Sequence, residues 1–394
     1  MTLLRNATLV LPRGVVANGW VQINDGRIAG CGSVESLPES PPPASSESID
    51  LDEHYVVAGF VDMHVHGGGG SSFTSGDRDD ALRAIDFHRA HGTTTTIAST
   101  VTADLDDLEH QIVVLSELVR EGRIAGIHLE GPFLSSARCG AHDPALLRDP
   151  EISVLERLVE AGGGTIRMVT IAPELPSGLE AVKWLANQGI IAAVGHTDAE
   201  AAEARAALDR GASVATHLFN AMRGLQHRDP TAANALLADD TAVLELVNDG
   251  FHVDESLVTL VFKSVGPERV ALITDAVSAA GMPDGNYRLG PLDIQVADGI
   301  ARLMDGETIA GSTMTMDVAF RRAVQAIGVP IEQASISASL TPARAIGVAD
   351  EVGSIEVGKR ADLVVLDKEL KVVAVMSRGE WFGSPKLPKP VTAG

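Results

Sequence analysis

Cysteine and long apolar runs are scarce in this sequence, and each shortage excludes a class of protein. Cys31 and Cys139 are the two cysteines among 394 residues, so paired thiols can build neither a disulfide framework nor a zinc ribbon. No segment reaches the roughly 20 unbroken apolar residues that a membrane helix needs. The first residues also lack the charged start, apolar stretch and cleavage site of a signal peptide. We therefore expect a cytoplasmic protein with no membrane partner.

Basic charge is also in short supply. Lysine and arginine number 31 against 53 aspartates and glutamates, which leaves a net charge of −22 at pH 7. So large a negative surplus argues against a nucleic-acid partner. It does not exclude a small anionic substrate, because a local cluster of hydrogen-bond donors can act against the general field.

The chain is rich, by contrast, in short apolar runs that alternate with helix-like segments. The runs cover residues 56–66, 92–100, 124–132, 166–174, 189–199, 213–222, 242–253 and 270–281. Strands that alternate with helices pair in parallel. Eight such units predict an α/β fold with a (β/α)₈ TIM barrel.

Both ends of the chain have a different sequence pattern, in which short strand-like runs alternate with turns that contain glycine and aspartate. We predict that residues 1–55 and 346–394 together form a small β-sandwich domain, and that residues 56–345 form the barrel. The proline- and serine-rich stretch 35–48 predicts a loop between strands.

Polar side chains stand at the ends of the apolar runs, where a TIM barrel has its active site. The first run ends in GFVDMHVHGGGG (59–70), whose His64 and His66 share one face of a strand. Such a pair is either a metal site or two buried, hydrogen-bonded histidines. The ends of four further runs carry Glu130, His196, His217 and Asp275. Histidines within helical segments, such as His88, are expected at the surface instead.

This set of side chains favours a divalent metal and hydrolysis. Histidines and carboxylates without a thiolate suit Zn²⁺ best here, with Fe²⁺, Mn²⁺ or Co²⁺ possible, and six ligands leave room for one or two ions bridged by Glu130. A metal lowers the pKa of bound water to near 7 and so supplies a hydroxide nucleophile. Asp275 is the expected general base and acid. No dinucleotide or P-loop motif points to another chemistry.

Longer motifs carry a family resemblance that covers essentially the whole chain. They include GFVDMHVHG (59–67), HLEGPFLS (128–135), VGHTDA (194–199), THLFNAM (216–222) and ITDAVSAAGMPDG (273–285). In this order they resemble the amidohydrolase superfamily and, within it, the N-acetylglucosamine-6-phosphate deacetylases. The resemblance implies a metal-dependent enzyme that converts N-acetylglucosamine 6-phosphate to glucosamine 6-phosphate and acetate.

The resemblance also implies a role for each matching residue. It makes Glu130, His196 and His217 the ligands of the main metal ion, and it gives His64 and His66 to a second ion. Asp275 matches the general base and acid. His142, in GAHDP (140–144), matches a residue that helps to polarise the amide carbonyl.

Phosphate binding by the family involves two subunits. The resemblance implies that the backbone N–H groups of Asn220 and Ala221 and the side chain of His252 bind the phosphate. Arg228, in QHRDP, matches an arginine that a second subunit donates, so a homodimer is expected. The alternative for Arg228 is an ordinary surface charge.

Two other interpretations remain. A dihydroorotase-like enzyme or an N-acyl-amino-acid deacylase shares the His-x-His pair and the aspartate, but many of these use a carboxylated lysine on the fourth strand. The fourth run, IRMVTIAPE, has no lysine, which weighs against these two enzymes. A non-catalytic scaffold on the same fold is the second alternative, which the full set of candidate ligands disfavours.

Overall fold

The computed structural model describes residues 1–36, 47–385 and 387, so residues 37–46 of the predicted loop lie outside the described part. The chain divides into two compact units. One comprises Met1–Val61, His88–Thr95 and Met316–Gly394, and the other comprises Asp62–Phe87 and Thr96–Thr315.

The strands of the described residues are numbered in chain order. They are β1 (Thr2–Leu11), β2 (Gly14–Asn24), β3 (Arg27–Ser33), β4 (Glu47–Asp50), β5 (Tyr55–Ala58), β6 (Phe60–Asp62), β7 (Gly67–Gly68), β8 (Ser71–Ser72), β9 (Thr93–Thr100), β10 (Gly126–Glu130), β11 (Ile166–Ile171), β12 (Ile191–Val194), β13 (Val214–Ala215), β14 (Val243–Val247), β15 (Val270–Ile273), β16 (Gly285–Leu289), β17 (Leu292–Ala297), β18 (Ile300–Leu303), β19 (Leu363–Leu366), β20 (Val372–Ser377) and β21 (Glu380–Trp381).

The α-helices are numbered in the same way. They are α1 (Arg78–Ala90), α2 (Leu105–Arg120), α3 (Ile152–Gly162), α4 (Gly178–Asn187), α5 (Ala201–Leu208), α6 (Ala232–Ala238), α7 (Glu255–Val265), α8 (Met316–Gln325), α9 (Ile331–Ser335) and α10 (Thr341–Ala345). A π-helical turn, Ile336–Leu340, separates α9 from α10. Among the described residues, no helix has both the length and the apolar character to cross a membrane.

Strands from both ends of the chain share one sheet. Its order is β21-β20-β19-β5-β1-β2-β3, and β4 pairs with β1 in parallel. Apolar side chains from the two ends meet in one core, for example Leu4, Val21, Val56, Leu363 and Met376, all 0 % exposed. Both ends of the chain therefore contribute strands and core residues to one sheet, as the sequence predicts.

Eight parallel strands form the barrel sheet, in the order β6-β9-β10-β11-β12-β13-β14-β15. Every residue of β9 and β10 is buried, which is typical of parallel strands that are covered on both faces. Backbone hydrogen bonds after the first and last strands bring the two edges together, from Asp275 N–H to the His64 carbonyl (2.9 Å) and from His66 N–H to the Ala276 carbonyl (2.8 Å). The predicted fold class is confirmed.

The helices begin and end where local chemistry favours it. In α2, Asp106 and Asp107 stand in the first turn, where the helix dipole favours negative charge, and Gly122 follows the helix with a φ of 71°. The prediction that His88 lies at the surface is wrong, since α1 turns this residue inward and leaves it 1 % exposed. An amphipathic helix has a buried face, and His88 stands on it.

A small antiparallel sheet follows β15 and was not predicted. It consists of β16, β17 and β18 in that order. The alternating burial of β17 is typical of a strand with one solvent face, and its Ile294 and Val296 pack with Val101 and Val277. This sheet matters for function because residues from it and from the segment after it reach the barrel rim.

Candidate active site and metal centre

The carboxyl ends of five barrel strands bring the six predicted metal and base residues together. Glu130 is the last residue of β10, and His196, His217 and Asp275 each stand two residues after a strand. Two groups of side chains offer ligand atoms that lie within 4.8 Å of one another. The first is His64, His66, Glu130 and Asp275, and the second is Glu130, His142 and His196.

Glu130 is the centre of the cluster. Its Oε1 lies 2.9 Å from His217 Nε2, 3.1 Å from His196 Nε2 and 3.3 Å from His64 Nε2. Three imidazoles from three different strands therefore point at one oxygen. The hypothesis that Glu130 is shared between two ions stays a prediction from the sequence.

The other oxygen of Glu130 faces the second half of the cluster. Glu130 Oε2 lies 3.1 Å from His66 Nε2 and 3.5 Å from His142 Nε2. Asp275 Oδ1 lies 3.2 Å from His66 Nε2 and 3.5 Å from His64 Nε2. Asp275 thus stands beside both histidines of the first strand end.

The donor set fits a divalent metal. His64 Nε2 and His66 Nε2 lie 3.2 Å apart, and His196 Nε2 and His217 Nε2 lie 3.0 Å apart. Two neutral imidazole nitrogens at this distance share at most one proton, and a divalent cation would satisfy both nitrogens of each pair. Two ligands at about 2.1 Å from a tetrahedral zinc ion are about 3.4 Å apart, close to these spacings.

Burial and charge set the protonation of the cluster. Burial acts to raise the pKa of Glu130, but the surrounding histidines outweigh it and hold that pKa well below its usual value. Burial lowers the pKa of His196 to about 4, in spite of its contact with Glu130. An ionised Glu130 and a neutral His196 are the forms that bind a metal.

The backbone is strained at three of these positions. His196, His217 and Asp275 have positive φ angles of 46°, 26° and 50°. Non-glycine residues seldom adopt this region, and such outliers concentrate at functional sites. The strained turns direct the three side chains inward from the barrel rim.

The second ring nitrogens of the histidines are held by further hydrogen bonds. His196 Nδ1 lies 3.0 Å from the Arg138 carbonyl, which requires a proton on Nδ1 and leaves Nε2 free for a metal. The Thr102 backbone N–H donates to His142 Nδ1 at 3.3 Å. The Thr102 hydroxyl also lies 2.9 Å from His142 Nδ1, so Thr102 holds the ring with its Nε2 toward Glu130.

The cluster forms the floor of a cavity of about 280 Å³. Predicted residues that line it are His66, Glu130, His142, His196, His217, Asn220, Ala221, His252 and Asp275. Lining residues that sequence reasoning missed are Gly140, Ala141, Leu289, Thr308, Ile309 and Gly311. His64 is fully buried behind the cavity, and Arg228 is exposed and is not part of its lining.

The predicted phosphate donors differ in what they can offer. The Asn220 N–H already donates to the His217 carbonyl at 2.9 Å, and its side-chain Nδ2 donates to the same oxygen at 3.1 Å. Both donor groups of Asn220 therefore close the turn, and the prediction that its N–H binds the phosphate stays a prediction. Phe219 and Ala221 have positive φ angles of 79° and 49°, and left-handed residues in such turns produce concave, anion-binding backbone.

His252 is well suited to bind an anion. Its Nδ1 lies 2.7 Å from Asp249 Oδ2, which leaves Nε2 as the second ring donor. Burial acts to lower the pKa of His252, but the Asp249 carboxylate outweighs it, and the pKa is raised above its ordinary value. A cationic ring at the cavity wall favours a negatively charged substrate.

Two buried residues behind the cluster were not assigned to the site from the sequence. His128, predicted to pack inside the barrel, hydrogen-bonds through its two ring nitrogens to Ser99 (2.9 Å) and Thr170 (2.8 Å). Glu245 was not predicted, and its Oε2 lies 3.0 Å from His64 Nδ1. A sequence signal existed, since Glu245 is a charged residue within the apolar strand VLELV.

A family comparison places this arrangement among known proteins. The sequence profile of the amidohydrolase family matches residues 55–382, most of the chain. This chain belongs to the amidohydrolase family. The resemblance seen in the sequence motifs is thereby confirmed, and the buried cluster of histidines and carboxylates fits the metal site of such a protein.

Individual relatives match this amidohydrolase over nearly its full length. It is 36 % identical over 382 residues to the N-acetylgalactosamine-6-phosphate deacetylase of Escherichia coli O157:H7, which covers 96 % of this chain and 98 % of the relative. It is 33 % identical over 388 residues to the N-acetylglucosamine-6-phosphate deacetylase of Bacillus subtilis, with 96 % of each covered.

A solved structure is also similar to this amidohydrolase. A mutant N-acetyl-D-glucosamine-6-phosphate deacetylase of Mycobacterium smegmatis, in complex with N-acetyl-D-glucosamine-6-phosphate, superimposes with a TM-score of 0.92 at 47 % sequence identity. The match covers 97 % of this chain and 99 % of that chain. The likeness therefore extends to the β domain as well as the barrel.

Proposed function

We propose that this amidohydrolase removes the acetyl group from N-acetylglucosamine 6-phosphate, releasing glucosamine 6-phosphate and acetate. The observation that carries the proposal is the convergence of Glu130, His196 and His217 within 3.1 Å, with Asp275 and His142 in the same cavity. Full-length similarity to deacetylases of amino sugar phosphates supports the substrate class.

A divalent metal belongs to this function, and we propose Zn²⁺. Glu130, His196 and His217 would hold the main ion, and His64 and His66 a second one, with Glu130 between them. Nitrogen and carboxylate donors without a thiolate suit zinc, iron, manganese and cobalt alike. When bound, such a metal lowers the pKa of water and polarises a carbonyl group.

The side chains of the cavity have separate tasks. Asp275 takes the proton of the attacking water and delivers it to the amide nitrogen as the carbon–nitrogen bond breaks. Burial acts to raise the pKa of Asp275, but His64 and His66 outweigh it and hold the pKa below its usual value, so the group is ionised and can accept a proton. His142 Nε2–H donates a hydrogen bond to the carbonyl oxygen as negative charge develops there, and the proton stays on the ring.

Recognition of the phosphate falls to the opposite part of the cavity. Because the Asn220 N–H is engaged in its turn, we assign the contacts to the Ala221 N–H and the His252 ring, with Asn220 holding the turn that presents Ala221. With a net charge of −22, the chain as a whole repels an anion. These local donors therefore have to supply the attraction.

We also propose a homodimer in which Arg228 of each chain reaches the cavity of the other. Arg228 is exposed and does not line the cavity of its own chain, which is compatible with a contact to the cavity of a partner chain. The test mixes R228A chains with D275N chains, each weakly active alone at low substrate concentration. Mixed dimers should regain one competent site. If the chains exchange and no activity returns, Arg228 acts within its own chain or does not bind phosphate.

The central experiment measures acetate release from N-acetylglucosamine 6-phosphate, with unphosphorylated N-acetylglucosamine as the matched control and defined metals added to apoprotein. We expect strong activity on the phosphorylated sugar and feeble activity on the control. N-acetylgalactosamine 6-phosphate is the third substrate, because one relative is named for it. A preference for N-acetylgalactosamine 6-phosphate would replace our proposed substrate, and no acetate release from any of the three sugars would refute the proposal.

The cytoplasmic location stays a prediction from the sequence.

A further inference from the structure

We propose that Glu245 is a positioning residue that joins the two halves of the metal centre. The inference rests on the metal-dependent function proposed above. Glu245 lies in the middle of β14 and is 0 % exposed. Its Oε2 lies 3.0 Å from His64 Nδ1 and accepts the His217 backbone N–H, also at 3.0 Å.

These two hydrogen bonds reach different halves of the cluster. His64 stands with His66 and Asp275, whereas His217 stands with His196 on Glu130 Oε1. By holding Nδ1, the carboxylate orients the His64 ring and directs its Nε2 into the cluster. That Nε2 lies 3.3 Å from Glu130 Oε1.

Glu245 also supports the strained turn at His217. His217 has a φ of 26°, which a non-glycine residue adopts only when its surroundings hold it there. The Glu245 side chain accepts the His217 N–H, and its backbone carbonyl accepts the next N–H, from Leu218, at 2.9 Å. One residue of β14 therefore holds two consecutive amides of the turn that carries a metal ligand.

The cost of burying Glu245 indicates that its role concerns the metal as well as the His217 turn. Its Oε1 has no hydrogen-bond partner within the described part of the chain, and a buried carboxylate that is only partly satisfied is costly. Its neighbours Leu244 and Leu246 are apolar and fully buried. An apolar side chain at position 245 would avoid the cost of a buried carboxylate, but it would leave the His64 and His217 N–H groups without this acceptor. A cationic metal centre beyond His64 would offset the charge of the carboxylate.

The test compares E245M with E245Q, two variants of similar volume that differ in the oxygen acceptor. Apoprotein is titrated with Zn²⁺ in competition with a chromophoric chelator, and the melting temperature of each apoprotein is recorded. E156Q, on the exposed face of α3, is the matched control. We expect E245M to weaken the binding of both zinc equivalents by about 10–100-fold, and E245Q to weaken it less, because its amide oxygen can still accept a hydrogen bond. E245M leaves the His217 N–H without its acceptor, so its apo melting temperature should fall, whereas that of E245Q should stay nearer to native.

Several results would overturn the inference. If E245M binds both zinc equivalents with native affinity, Glu245 has no role in metal binding. If E245M weakens only one equivalent, Glu245 does not join the two halves of the metal centre. The same conclusion follows if the native protein binds only one zinc equivalent. If E245M does not fold, E245A supplies the same loss of the acceptor and decides the test. E130Q tests the proposed function separately. If E130Q keeps the native zinc content, the proposed metal centre is wrong. If E130Q loses zinc and E245M does not, only the proposed role of Glu245 is refuted.

Discussion

Replacing Asp275 by asparagine tests the proposed chemistry most directly. The carboxylate is 7 % exposed and stands 3.2 Å from His66 Nε2, so an amide of nearly equal size fits the same place. The amide cannot accept the proton of the attacking water. Because its pKa lies below the usual range, native Asp275 is ionised across the working pH, and the substitution removes a fully available base.

The expected magnitude follows from that role. General acid–base groups contribute about 10²–10⁴-fold, which corresponds to a barrier increase of about 2.7–5.4 kcal/mol. Since Asp275 both takes and returns the proton, we expect a loss of kcat toward the upper end. Binding of the phosphate lies elsewhere in the cavity, so KM should change little.

The assay follows acetate release at saturating N-acetylglucosamine 6-phosphate, with zinc content measured on the same sample because Asp275 also offers an oxygen to the second ion position. D240N, an exposed aspartate before β14, is the control and should keep native kcat. If D275N holds a full complement of metal and its kcat stays within tenfold of native, Asp275 is not the base.

Three further predictions concern the metal and the phosphate. E130Q should lose metal and activity together, because it removes the anionic oxygen shared by both halves of the metal centre. Elemental analysis checks this prediction, and a full zinc content would contradict it. The double variant H64A/H66A should lose about one metal equivalent, and unchanged content would leave the two histidines as a structural pair. The KM for the phosphorylated sugar should rise as pH rises through the raised pKa of His252, since the cation is present below that pKa and lost above it. D249N should move this rise to lower pH, and a pH-independent KM would exclude a cationic His252 from phosphate binding.

The sequence carries much of the fold and the site because both follow local rules. Alternation of apolar runs with helical segments predicted eight parallel strands, and all eight occur as β6 and β9 to β15. Active-site residues of a TIM barrel stand at strand ends, so reading the ends of the runs found the residues that meet in the cavity. Glu130 and His217, 87 positions apart in the chain, lie 2.9 Å apart in the structure.

Other features depend on contacts that local patterns do not record. Glu245 is a charged residue in an apolar strand, and only the closed barrel shows its purpose, because it brings the side chain of this β14 residue within 3.0 Å of His64 Nδ1 and of the His217 N–H. Thr308 and Ile309 reach the cavity because an antiparallel sheet after β15 packs beside the rim, and its one-sided burial gives no sign of where that sheet docks. Residue types and spacing thus determined which side chains meet at the candidate active site. The arrangement of the barrel strands and the docking of the β16–β18 sheet decided which groups surround them.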